Sequence, residues 1–186
     1  MLFRIEILWL SCLWFLGVLL NPVYACAFKN ENMQPSTPDS QFVDNGDGTI
    51  IHKTTGLMWK KCSEGITGDN CEIIDESVAS YSWQDAFKQA KLVNEMGGFA
   101  GYNDWRLPNI KELASIVEEQ CYQPSINEKI FPNTFADFYW SSTPDMFPED
   151  NGGYAWAFSF ENGEMHAVRK SISSRYPTYL RLVRNN

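Results

Sequence analysis

GYNDWRLPNIKELASIVE, residues 101–118, carries the clearest local structure in the chain. Pro108 pushes the residue before it into extended backbone, so Trp105, Arg106 and Leu107 read as an extended segment that buries an aromatic ring. Asn109 stands where a helix needs a cap, and Glu112 answers it three residues later. Ile110, Leu113, Ile116 and Val117 recur at helical spacing, which predicts a helix with Cys121 just beyond its last turn. Arg106 and Glu112 are expected to pair beneath the loops in a charge-assisted contact. Packing, capping and pairing suit these residues better than catalysis, so WRLPNIKEL reads as a folding signature and not as a site.

Working outward, the upstream sequence alternates strands and turns. FVD (42–44), the NGDG turn, TIIHKTT (49–55), a second turn at Thr55-Gly56 and LMWKKC (57–62) predict a β-meander. Ser82-Trp83-Gln84-Asp85 then opens a helix with Ala86, Phe87, Ala90 and Val93 on its buried side, ending at Gly97-Gly98. Downstream come FYWSS (138–142), AWAFSF (155–160), EMHAVRK (164–170) and a final strand YLRLVR (179–184). Strands, two helices, then strands again predict an α+β domain with an antiparallel sheet. In AWAFSF both alternating sets are apolar, so that strand is expected to be central and covered on both faces.

The chain has 186 residues and a net charge of −8, with 15 Lys+Arg against 23 Asp+Glu. That length builds one domain with a proper core, and the acidic balance argues against nucleic acid as a partner. Seven Trp, eight Tyr and twelve Phe need burial, which excludes intrinsic disorder. Residues 1–25 have an early Arg4, an apolar run from Ile7 to Leu20, Pro22 and a small residue at Ala25, the pattern of a signal peptide. The run falls short of a membrane-spanning helix, so no transmembrane segment is expected in the mature chain. Cleavage after Ala25 leaves Cys26 first, cleavage after Ala27 removes it, and Val23-Tyr24-Ala25-Cys26 loosely resembles a lipidation site that would anchor Cys26. Export to the periplasm, the outer membrane or the medium favours disulfides. Cys62 and Cys71 flank a polar loop and are assigned to each other, and Cys26 with Cys121 follows by elimination. Residues 26–41 read as an N-terminal arm, and residues 42–186 as the domain.

GYNDWRLPNIKELASIVE, preceded by FVDNGDGTI and TGLMWKKC and followed by INEKIFPNT, YWSS, AWAFSF and YLRLVR, resembles a bacterial family, the Lcl C-terminal domain family, over about residues 41–184. The resemblance implies a variant of the C-type lectin-like fold, and, for the adhesin that gives the family its name, binding of sulfated glycans and attachment. It implies no uniform activity for the family.

Asn45-Gly46-Asp47-Gly48 in a calcium loop would put Val43 and Thr54 where carboxylates belong, so a tight hairpin turn is the reading. The calcium-binding sequences of sugar-binding C-type lectins are missing, and no metal or cofactor is expected. The paired cysteines on which formylglycine-generating enzymes depend have no counterpart after Cys121, and neither His52 nor His166 sits in a recognisable catalytic context, so the domain is expected not to be an enzyme. Charge is polarised: residues 137–164 hold Asp137, Asp145, Glu149, Asp150, Glu161 and Glu164 without a base, and residues 165–186 hold Arg169, Lys170, Arg175, Arg181 and Arg184 without an acid. Arg169, Lys170 and Arg175 with nearby aromatics are the candidate patch for sulfate or carboxylate groups. The loop 143–154 contributes Phe147, Glu149, Asp150, Asn151 and Tyr154, with Trp156 read as core. The expected partner is a glycan, or a surface protein if the module serves assembly.

Overall fold

The structure, a computed structural model, describes residues 26–74, 80–146, 153–171 and 177–186. The leader read over residues 1–25 lies outside the described residues. From Phe42 the meander forms as the turn chemistry predicts: β2 (Phe42–Asp44), β3 (Thr49–His52) and β4 (Leu57–Lys60) pair antiparallel in sequence order. The NGDG segment is a hairpin turn. Asp47 accepts bonds from both the N–H and the hydroxyl of Thr49, and Asn45 binds the same hydroxyl at 2.8 Å. Before the meander, β1 (Phe28–Lys29) belongs to the arm. After it, β5 (Ile66–Thr67) and β6 (Ile73–Ile74) form a small ribbon on the loop closed by the Cys62–Cys71 disulfide.

Helix α1 (Trp83–Glu95) starts where Ser82 accepts a bond from the Asp85 N–H. It ends in a turn that only glycine can make at position 98, where a Cβ would fall 2.0 Å from the Tyr102 carbonyl oxygen. Ala86 and Ala90 are buried, whereas Phe87 is 41% exposed, which corrects its expected place on the buried side. Helix α2 (Ile110–Ala114) carries the expected capping box between Asn109 and Glu112 but is shorter than the spacing predicted. The Ser115 hydroxyl turns back onto the Glu112 carbonyl, the next bonds tighten to i→i−3, and Val117 leaves to bridge Ile126. Ile116 and Val117 are buried all the same, from outside the helix.

The remaining strands are β7 (Cys121–Tyr122), β8 (Phe138–Pro144), β9 (Tyr154–Ser159), β10 (Glu164–Arg169), β11 (Thr178–Tyr179) and β12 (Val183–Asn185). They complete two four-stranded sheets, ordered β10-β9-β8-β11 and β12-β4-β3-β2, where one antiparallel sheet was expected. The final strand read from YLRLVR is two pieces, with β11 parallel to β8 and β12 antiparallel to β4. Between them Leu180, Arg181 and Leu182 are all buried as the chain crosses from one sheet to the other. Strand β9 is central, and Ala155, Ala157, Phe158 and Ser159 are buried, so both of its faces are covered. The architecture is α+β.

Alternation in β4 feeds two cores. Leu57 and Trp59 enter one with α2's Leu113, and Met58 enters the other with Ala86 and Ala90 of α1 and with Trp105 and Trp140. A second disulfide, Cys26–Cys121, ties the arm to the domain beside the β1–β7 ladder. Two disulfides suit an oxidising compartment, extracellular or periplasmic. Among the described residues no helix is long and apolar enough to cross a membrane.

Candidate functional site

The sequence-predicted cations meet very different surroundings. Arg181 is buried, lies over the Phe131 ring at 4.9 Å, and donates to the Lys60 and Lys61 carbonyls and to the Ser63 and Thr134 hydroxyls. Burial lowers its pKa, and the nearby Tyr139 phenol, joined to Ser63 at 2.7 Å, is raised by the same desolvation. Arg184 forms a two-pronged pair with Asp104, at 2.7 and 3.3 Å, and stacks on Tyr102 at 4.0 Å. Both are therefore structural and withdraw from the basic pole read in the sequence. Neither partner comes from the acidic stretch 137–164.

The other two described cations are successive residues at one end of the β10-β9-β8-β11 sheet, so their side chains leave opposite faces of it. Exposed Arg169 lies over the Tyr154 ring, 5.1 Å from its centroid, because the two residues are opposite each other in the β9–β10 register. Lys170 lies 4.5 Å over Trp83, the first residue of α1. The backbone fixes this arrangement: Trp83 N–H donates to the Lys170 carbonyl, Lys170 N–H to the Gly153 carbonyl, and the indole Nε1 to the Ser141 carbonyl. Trp83 in turn meets Phe87 edge-on at 4.9 Å. Each cation thus rests on a ring that orients it.

Trp83, which the sequence marks only as a helix start, lies under Lys170. An aromatic at the first position of an amphipathic helix was the available signal, but nothing local says which strand end that helix meets. Trp156 is half-buried in β9. Arg175, Phe147, Glu149, Asp150 and Asn151 lie outside the described residues, so of the expected set the structure brings Arg169 to Tyr154 and sets Lys170 apart, on Trp83. Chemically the Arg169–Tyr154 pair offers an exposed guanidinium for oxyanions beside a flat aromatic surface, a combination suited to sulfate or carboxylate groups carried on rings.

The signature segment itself is tied together internally. Arg106 donates to both Glu112 carboxylate oxygens at 2.8 Å, and the same carboxylate accepts the Asn109 N–H at 2.7 Å. Burial pushes the Glu112 carboxyl up, but these bonds more than offset it and hold it below its ordinary value. Asn94 of α1 both donates to the Trp105 carbonyl and accepts its N–H, which clamps the segment to the helix.

No curated protein matches the chain. Residues 48–184, from the hairpin turn through the signature segment to β12, match the Lcl C-terminal domain, and the chain belongs to that family.

Proposed function

We propose that this chain is an exported, non-catalytic binding and adhesion module of C-type lectin-like architecture, recognising sulfated or carboxylated polysaccharide at the bacterial cell envelope. The observation that carries the reading is the pair of cations, Arg169 and Lys170, each laid on an aromatic ring at the same sheet end. Membership of the Lcl C-terminal domain family and the strand-helix-strand order support it, and the disulfides support export. The net charge of −8 opposes long-range attraction of a polyanion, so binding rests on short contacts and not on steering.

The test is binding of the oxidised protein to sulfated and neutral glycans over a salt series. Sulfated ligands should bind, weaken steeply as salt rises, and lose about a hundredfold in affinity in the Arg169→Ala/Lys170→Ala double variant. Binding that ignores both salt and the double variant would overturn the reading. One observation favours a second reading, a protein-binding component of a surface assembly: Phe87 and Leu92 of α1 and Met96 just past its end are exposed apolar side chains. In that case, glycans fail to bind and substitutions at these three positions release the partner.

A further inference from the structure

Every cysteine among the described residues is bonded to another: Cys26 to Cys121 and Cys62 to Cys71. The chain holds five cysteines, and the fifth, Cys12, lies in the apolar run of the leader. Parity therefore depends on where the leader is cut. Cleavage after Ala25 leaves four cysteines, which the two disulfides use in full. Cleavage after Ala27 leaves three and strands Cys121 as an odd thiol in an oxidising compartment.

From Cys26 onward the fold uses the chain as structure and not as a loose tail. Cys26 is 8% exposed. Ala27 N–H donates to the Gln123 carbonyl at 2.9 Å, Phe28 and Lys29 pair with Tyr122 and Cys121, and Asn30 N–H donates to the Gln120 carbonyl at 2.9 Å. A chain beginning at Phe28 would lose both the disulfide and the Ala27 bond. Lipidation of Cys26 fails on valence: a diacylglyceryl thioether gives the sulfur two carbon neighbours and leaves no bond for Cys121. Its acyl chains would also have to leave the fold from a buried residue.

We propose that the leader is removed after Ala25, that Cys26 opens the mature chain, and that its sulfur is held by Cys121 and carries no lipid. In the first step water adds across the Ala25–Cys26 peptide bond, giving the Ala25 carboxylate and the Cys26 amine. Val23 and Ala25 stand where the cut needs small side chains. In the second step the Cys26 and Cys121 thiols pass two electrons and two protons to an oxidised protein disulfide by thiol–disulfide exchange, which leaves that protein as a dithiol. The mature module is then held at the envelope only by what it binds. Export is the one part of the proposed function on which this rests.

The test is the intact mass and the non-reducing peptide map of the protein, produced from its full coding chain in a bacterium that has both secretory and lipoprotein-processing machinery. The expected mass is that of residues 26–186 less the hydrogens lost to two disulfides, with one cross-linked peptide joining Cys26 to Cys121 and recovery without detergent. Cys26→Ser separates the two kinds of processing, because a lipidation-dependent cut needs the thioether. This variant should be cut at the same bond, be recovered in the same fraction, and gain a maleimide-reactive thiol at Cys121. A chain starting at Phe28, an acyl mass on Cys26, or a Cys26→Ser chain that keeps its leader would overturn the proposal. A natural chain that still starts at Met1 would overturn the export reading with it, so the two failures are told apart. If Cys26→Ser misfolds, the mass and peptide map of the natural chain decide.

Discussion

Single side chains hold this fold at a few buried polar points, and these make it sensitive to acid. Glu118 is 4% exposed. Its carboxylate accepts bonds from the N–H groups of Ser36, Thr37 and Gln120 and from both hydroxyls, so it stays ionised despite a desolvation that alone would raise it. The folded carboxyl lies below its ordinary value near 4.5. Stability from Glu118 and Glu112 is therefore present above that value and lost as pH falls through the folded pKa values. His52 acts earlier. Burial lowers its pKa below the ordinary 6.5, and it stacks on Phe42 at 4.7 Å, so the folded state holds it neutral and loses stability as pH drops below 6.5. A melting series should accordingly show stability falling from neutral to mildly acidic pH, and His52→Phe should flatten the upper part of that fall. Glu112→Ala removes a cap and leaves Arg106 without its carboxylate, and should cost about 2–3 kcal/mol in denaturant titrations. The partners of Glu112 were legible because its reach to Asn109 and Arg106 is local. Those of Glu118 were not, because Ser36 and Thr37 lie some 80 residues away.

Elements show where local sequence stops being informative. Both helix starts, the meander and the central β9 follow from caps, turns and alternation that a few neighbouring residues decide. The crossing at Leu180-Arg181-Leu182 does not. YLRLVR reads as one strand because every second residue suits a sheet, yet the chain passes between two sheets and buries the intervening arginine. The acceptors that draw Arg181 into the core, the Lys60 and Lys61 carbonyls and the Ser63 and Thr134 hydroxyls, are all distant in sequence. Phe87 failed for a related reason: helical periodicity marks a stripe, but the cross-strand neighbours that would cover its far edge are set by the fold. The candidate site divides in the same way. Tyr154 and Arg169 could be named from a hairpin register, whereas Trp83 comes from a helix 86 residues before Arg169. At this scale the clamp between α1 and the signature segment is testable. Asn94→Leu removes both bonds to Trp105 and strands its buried backbone groups, so it should cost about 2–4 kcal/mol and speed amide exchange at Trp105.

Over the whole molecule, the disulfides divide the work by loop length. The Cys62–Cys71 link closes a separation of 9 residues and the Cys26–Cys121 link one of 95. On the chain-entropy view their loss costs about 2–3 and 4–5 kcal/mol respectively, so Cys26→Ser/Cys121→Ser should lower the melting temperature more than Cys62→Ser/Cys71→Ser. The longer link has a mechanical consequence. If the protein is held at its N-terminal end and pulled from its C-terminal end, tension passes from Cys26 through the sulfur bridge directly to Cys121. The intervening chain, with the arm, the meander, both helices and the signature segment, hangs beside the load path as a covalently closed ring. Of residues 26–186 only those after Cys121 can be drawn out, so this stretch should yield roughly two fifths of the extension that its length allows, and recover the full value on reduction.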